Sequence, residues 1–130
     1  MSLSFELSEN EDYIHCVVSG LHDEIESFLK PFSAIFALCR DSELRRVVFD
    51  YRSIEIYPEA ADRINFIEML SQRYDDYLNF GGQAIKFAFI VNKDAFDHMN
   101  TPEDVAGFVG LNLARKTNLE DALEWLRADP

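Results

Sequence analysis

Residues 44–91 read LRRVVFDYRSIEIYPEAADRINFIEMLSQRYDDYLNFGGQAIKFAFIV, and they settle the architecture. Leu44 to Asp50 carries Val47-Val48-Phe49, the short apolar run that a buried parallel strand needs. Pro58 at a first helical position, with Glu59 and Asp62 behind it, opens a long helix. Its stripe is Ala60, Ile64, Ile67, Leu70, Tyr74 and Leu78, and Gly81-Gly82 stands where a helix C-terminus favours glycine. At ~1.5 Å per residue the helix spans about 33 Å. Ala84 to Val91 is the most apolar strand, interrupted only by Lys86, and is expected at the sheet centre. Strand, helix, strand in this order is a crossover unit, which makes the sheet parallel here.

Upstream, Leu3-Phe5-Leu7 alternates with Ser4 and Glu6, the pattern of a half-exposed strand. Ser8 to Asp12 is polar turn material, and Tyr13 to Ser19 is a second strand ended by Gly20. The short turn predicts an antiparallel hairpin. Residues 22–40 follow a helical stride through Ile25, Phe28, Leu29, Phe32, Ile35, Phe36 and Cys39. Pro31 interrupts it, and its ring would clash with the Ser27 carbonyl, so a kink or break is expected there. Downstream, Ala95 to Met99 reads as a helical turn. Thr101-Pro102-Glu103-Asp104 starts a helix running to about Val109. Leu111 to Lys116 is a last strand. Thr117 and Glu120 stand at capping-box spacing before a closing helix with Leu119, Ala122, Leu123 and Leu126 inside and Trp125 at its edge. The expected fold class is α/β, a single mostly parallel sheet of about five strands with an N-terminal antiparallel hairpin and about four helices, forming one domain over residues 1–130.

The 130 residues, 48% hydrophobic and 28% charged, have ordinary globular composition. Twenty-four acids against 12 bases give a net charge of −12, which would repel phosphate backbones and anionic lipid. Neither nucleic acid nor a membrane is an expected partner. Cys16 and Cys39 sit in apolar runs and read as buried free thiols. No apolar run approaches a membrane span and the N-terminus lacks a signal-peptide layout, so a cytoplasmic location is expected.

The chain offers little that reads as chemistry. His15, His22 and His98 have no second His at metal-ligand spacing, and the acids of His22-Asp23 with Glu26 are explained by a helix first turn. No glycine loop of nucleotide-binding type is present. His15 and Cys16 are neighbours on a strand, so they face opposite ways and form no nucleophile–base pair. No metal, cofactor or catalytic set is called for.

Two surfaces stand out. In open parallel sheets, ligands and partners gather at the carboxyl ends of strands. There the chain places Asp50, Arg52, Ser53, Glu59, Asn92 and Lys93, a ligand or partner edge with both signs of charge. The plainer explanation is that loops are wet and that Asp50 and Asn92 cap turns. On the long helix, Phe66, Met69, Arg73, Tyr77 and Phe80 form a second stripe and a candidate homodimer face. The plainer explanation there is a helix buried on two sides within its own domain.

Val18-Ser19-Gly20 leading into a helix, Val47-Val48-Phe49-Asp50, Phe87-Ala88-Phe89-Ile90-Val91 and the ending Asn118-Leu119-Glu120-Asp121-Ala122-Leu123-Glu124-Trp125-Leu126 together resemble the STAS-like (sporulation anti-anti-sigma-like) family. The ending looks like the "LEEALxWL" close of its uncharacterised bacterial branch. The resemblance implies protein binding or small-ligand sensing rather than catalysis, since members include anti-sigma-factor antagonists, stressosome-type scaffolds and domains attached to transporters. It also implies a loop serine after the Asp-ended strand as a phosphorylation switch. At that place this chain has Pro58-Glu59-Ala60-Ala61, and Tyr57 carries the only hydroxyl between Ile54 and Arg63. Glu59 would supply a permanent negative charge there. Ser53, about a turn upstream, is the remaining acceptor under a shifted alignment. The expected function is therefore a non-catalytic protein-interaction or regulatory module without the phospho-serine switch, binding a protein partner and itself. The alternatives are a carrier or sensor for a small apolar ligand, in a Phe-lined cavity under the kinked first helix, and an enzyme using Asp50 and Lys93.

Overall fold

The computed structural model describes residues 4–20, 29–54, 60–94 and 112–128, with backbone only for 60–64. Five strands form one sheet: β1 (Ser4–Glu9), β2 (Ile14–Gly20), β3 (Arg46–Ile54), β4 (Lys86–Ile90) and β5 (Leu113–Lys116), in spatial order β1-β2-β3-β4-β5. β1 and β2 are the antiparallel hairpin, and all later pairings are parallel. β3, not β4, is therefore the middle strand. β4 is the more apolar because both its faces are covered, which centrality does not require. Three helices are described: α1 (Lys30–Asp41), α2 (Ala60–Asn79) and α3 (Leu119–Arg127). The expected helix over 101–109 and the turn at 95–99 lie outside the described residues.

The register sets the strands in rows. Ile14, Val47, Phe87 and Leu113 lie abreast, followed by His15, Val48, Ala88 and Ala114. Cys16, Phe49, Phe89 and Arg115 come next, then Val17, Asp50, Ile90 and Lys116. Side chains alternate along a strand, so the odd rows face one side and the even rows the other. The odd rows meet α1 and α2 in the main core, while Val48, Ala88 and Ile90 of the even rows meet Ala122 and Leu126 of α3. Crossovers of one hand that step across a sheet in one direction place their helices on one face, which is why α1 and α2 share a side. Cys16 accordingly lies in the main core and His15 on the α3 face.

α1 begins at Lys30 with Pro31 in its first turn. The break expected at Pro31 is thus a helix start, where the missing N–H is no loss. Ile25 and Phe28 of the predicted stride are outside the described residues. Phe32, fully buried, stacks on Phe49 at 4.1 Å and has Phe66, Phe87 and Phe89 within 6.1 Å. These rings pack against one another beneath α1.

α2 ends as its glycines predict. The Gly82 N–H donates to the Tyr77 carbonyl and the Gly81 N–H to Leu78, with Gly81 at φ +94°. This is the Schellman pattern, with glycine where φ must be positive. A Cβ on Gly82 would fall inside the Tyr77 ring, which is buried and tied by its hydroxyl to the Gln83 carbonyl at 2.8 Å. Gly82→Ala is expected to cost about 1–3 kcal/mol through overpacking, at a site where the ring cannot swing away. Gly81→Ala, with open space around it, should cost only the left-handed backbone penalty of about 1–2 kcal/mol. Urea melts of the two variants check the order, and a milder effect at Gly82 than at Gly81 would refute it.

α3 is capped by Asn118, whose Oδ1 accepts the Asp121 N–H at 2.8 Å. The cap is therefore one residue past the expected Thr117–Glu120 box. At the other end of the helix, the Lys86 ammonium donates to the carbonyls of Trp125 (2.6 Å) and Ala128 (3.0 Å), and the Arg46 Nε donates to Leu126 (3.0 Å). Cations at a helix C-terminus satisfy its orphan carbonyls and its dipole. Lys86, the one break in an apolar strand, is thus a latch for α3.

Candidate functional site

Asp50 is inside β3 rather than at its end, because the strand continues through Tyr51, Arg52, Ser53 and Ile54. Sequence alone reads these as loop because Arg52 and Ser53 stand side by side and break the apolar–polar alternation. The strand carries a bulge here: the three steps from Asp50 to Ser53 face the two from Val17 to Ser19 on β2. Asp50 nevertheless stands level with Ile90, the last residue of β4, so it does lie at the carboxyl margin of the sheet.

The bulge turns Arg52 back onto Asp50. Arg52 Nε donates to Oδ1 at 2.9 Å and Nη2 to Oδ2 at 2.7 Å, while the Arg52 backbone N–H also reaches Oδ1 at 3.1 Å. His15 Nε2 lies 3.6 Å from Oδ2. Asp50 is the buried charged residue among the described residues, 6% exposed. Burial pushes its carboxyl up, but the His15 ring, the Arg52 guanidinium and the Arg52 amide outweigh that and hold it well below the usual carboxylate range. The same pairing raises Arg52 above its ordinary value.

The other edge residues are placed as follows. Asn92 follows β4, and its Nδ2 approaches the Arg52 carbonyl at 3.5 Å, which joins the two strand ends. Lys93 and Ser53 are exposed, and Ser53 sits in the ladder opposite Ser19. Glu59, with the Pro58–Ala61 segment compared to the phosphorylation loop, falls outside the residues described with side chains. The structure thus brings Asp50, Arg52 and Asn92 together and adds His15. No sequence spacing could have found His15, because it meets Asp50 only through the β2–β3 register. The face beneath this cluster is polar and open toward β1, whose Ser4, Glu6 and Ser8 are exposed and pair with Ser19, Val17 and His15.

As chemistry, the cluster is closed. Both Asp50 oxygens are held by Arg52, so Asp50 does not stand as a free base. The thiols offer no nucleophile, since burial pushes Cys16 up to about 12 and Cys39 up to about 11. Among the described residues no group of three or more His, Cys, Asp or Glu could hold a metal ion, and no helix is long and apolar enough to cross a membrane.

The proposed dimer face needs correction. Tyr77 is 1% exposed and belongs to the main core, where it stacks on Phe36 at 5.0 Å. Phe66 and Met69 are half-buried and pack against that core. A long helix buried across a wide arc places more than one stripe inside, so the second stripe is mostly internal. Arg73 and Phe80 remain outside, Phe80 at 82% exposure.

No family model matches the chain, and no curated protein matches it in sequence. Solved structures do match in shape. An anti-sigma factor antagonist from Mycobacterium paratuberculosis superposes with a TM-score of 0.62 at 20% identity, over 98% of this chain and 96% of that one. The anti-sigma factor antagonist SpoIIAA in its unphosphorylated form gives 0.48 at 11% identity, over 95% and 96%. An uncharacterised protein with a SpoIIAA-like fold from Shewanella loihica gives 0.49 at 17%, over 96% and 94%. With the hairpin, the sequential strand order and two helices on one face, the fold of this chain is that of a STAS-like α/β domain.

Proposed function

We propose that the protein is a non-catalytic regulatory module that binds another protein through the carboxyl margin of its sheet. The observation that carries this reading is the closed Asp50–Arg52 pair. At the position where such sheets recognise partners, the buried carboxylate is committed to Arg52 and shapes a charged surface rather than standing free as a base. The fold shared with an anti-sigma factor antagonist supports the same reading. The proposed module has no phospho-serine switch; the pairing of Ser53 with Ser19 within the sheet supports this, because the backbone there is not a free segment. Self-association is part of the proposal and is narrowed to Phe80, the most exposed large apolar residue described.

A single experiment tests these points. A photo-crosslinking residue is placed in turn at Ser53, Lys93 and Phe80 in cells that express the protein natively. Lys93 and Ser53 should yield a discrete adduct with a second protein, and Phe80 a dimer of this chain. Peptides covering Ser53 in the uncrosslinked protein should carry no phosphate. Bare 15.0 kDa protein at both margin positions would refute the module, and phosphate on Ser53 would refute the unswitched form.

A further inference from the structure

On the face away from α3, the helices α1 and α2 leave a groove of about 240 Å³, lined by Ser33, Phe36, Arg40, Arg73, Asp76 and Tyr77. Its floor is two stacked rings, Phe36 and Tyr77, both almost fully buried. Its rims carry two exposed arginines, one from each helix. Arg40 lies over the Tyr77 ring at 5.3 Å, and Arg73 reaches the Ser33 hydroxyl at 3.4 Å. Neither is within ion-pair distance of a carboxylate among the described residues. Two arginines facing one groove without a carboxylate partner among the described residues form a local basic site in a chain with 24 acids and 12 bases. Other described arginines do hold carboxylates: Arg52 holds Asp50, and Arg127 holds Asp12, with Arg46 also donating to the end of α3.

We infer that this groove is a second docking site and takes a carboxylate side chain from an acidic segment of a partner protein. The inference rests on the interaction-module reading and names the chemistry of its partner. Two planar guanidinium forks match carboxylates, and a desolvated aromatic floor strengthens the contact. The volume is below that of a pocket for a cofactor or drug-sized ligand, which takes roughly 300–1,000 Å³. Asp76 on the rim selects the charge of the occupant. It repels a dianionic phosphate more strongly than a singly charged carboxylate, so the groove is tuned to Asp or Glu rather than to a phosphorylated residue.

The test is a titration of the ¹⁵N-labelled full chain, read at the Nε–Hε signals of Arg40 and Arg73 and at the Ser33 and Ala37 amides. The probes are end-capped hexaglutamate, end-capped hexaglutamine and inorganic phosphate. Hexaglutamate should shift these signals saturably, weaken with added salt, and bind the Arg40→Gln/Arg73→Gln variant about tenfold more weakly or worse. Both residues are exposed, so the variant should keep the wild-type spectrum elsewhere. If it does not, Arg40→Lys/Arg73→Lys keeps the charge without the planar fork and must still bind more weakly than wild type. Shifts centred on other residues, equal binding of hexaglutamine, phosphate saturating at lower concentration, or undiminished binding by the variants would each overturn the groove. A partner crosslinked at Ser53 or Lys93 together with no hexaglutamate response would refute the groove and leave the module standing. Saturable hexaglutamate binding in a protein that crosslinks no partner at Ser53 or Lys93 would refute the margin reading and support the groove.

Discussion

Phe32→Ala is expected to remove about 3–5 kcal/mol of folding free energy, the range for a large aromatic deleted from a packed core. Phe32, the third residue of α1, projects into the odd rows of the sheet, where its ring stacks on Phe49 at 4.1 Å and meets Phe66, Phe87 and Phe89. The neighbours come from β3, α2 and β4, so they cannot all close on the void. Strands cannot approach one another, because the ladder fixes their spacing. The remaining rings would also lose their offset and edge-on contacts, each worth about 0.5–1.5 kcal/mol beyond area. Domains of this kind hold about 5–15 kcal/mol in all, so the variant should sit near the edge of folding at 37 °C. Phe32→Leu keeps most of the volume and should recover more than half of the loss. Urea unfolding followed by near-ultraviolet circular dichroism measures both. A Phe32→Ala loss below about 1.5 kcal/mol would mean that the cluster rearranges freely and that α1 is not anchored by this ring.

What was legible in the sequence was whatever rests on local signals. The hairpin follows from alternation in Leu3 to Leu7 and a polar turn, and the end of α2 from Gly81-Gly82. The inner face of α3 follows from the spacing of Leu119, Ala122, Leu123 and Leu126. What was not legible depends on register or on covering surfaces. Apolar content placed β4 at the centre, but it measures how many faces are covered, and strand order decides the centre. Tyr51 to Ile54 read as loop because a bulge and an open sheet face mix exposed and buried residues in one strand. Tyr77 read as surface because the width of the arc that α2 buries is set by α1 and by Gly82, neither of which is visible in the periodicity of α2 itself. Strand-end position alone places Asp50, Arg52 and Asn92 on one margin, where the structure brings them together. His15 required knowing that β2 pairs beside β3 with Val48 opposite it.

The second large effect is an asymmetry within the Asp50–Arg52 pair. Asp50 is 9% exposed in its side chain and Arg52 41%, so the two deletions leave very different orphans. Arg52→Ala strands a carboxylate in the sheet face with only His15 and one backbone N–H nearby. Breaking a fully buried pair this way costs about 3–5 kcal/mol, and the half-exposure of Arg52 brings the expectation down to about 1–3 kcal/mol. Asp50→Val frees a guanidinium that simply turns into water and fills the site with an isosteric apolar group. It should change stability by no more than about 1 kcal/mol in either direction. The pH dependence follows from the sign of the shift. In the wild type the folded carboxyl is held below its unfolded value of about 3.9, so its contribution is present above that pH and is lost as the pH falls further. Without the Arg52 guanidinium the burial penalty is opposed only by the His15 ring and the backbone N–H, and the folded value rises. The deficit of Arg52→Ala should therefore be greatest near neutrality and shrink as the pH falls through the variant's raised value, where its Asp50 takes up a proton while the wild-type carboxyl, held well below the usual range, stays ionised. Denaturant melts of the two variants from pH 3 to 7 read this directly. If Asp50→Val proves as damaging as Arg52→Ala, the pair is a structural strut and the margin loses its claim as a recognition surface. If Asp50→Val folds normally but no longer crosslinks a partner through Lys93, then the fold has no need of a buried carboxylate at this position, and its charge is there to shape Arg52 for recognition.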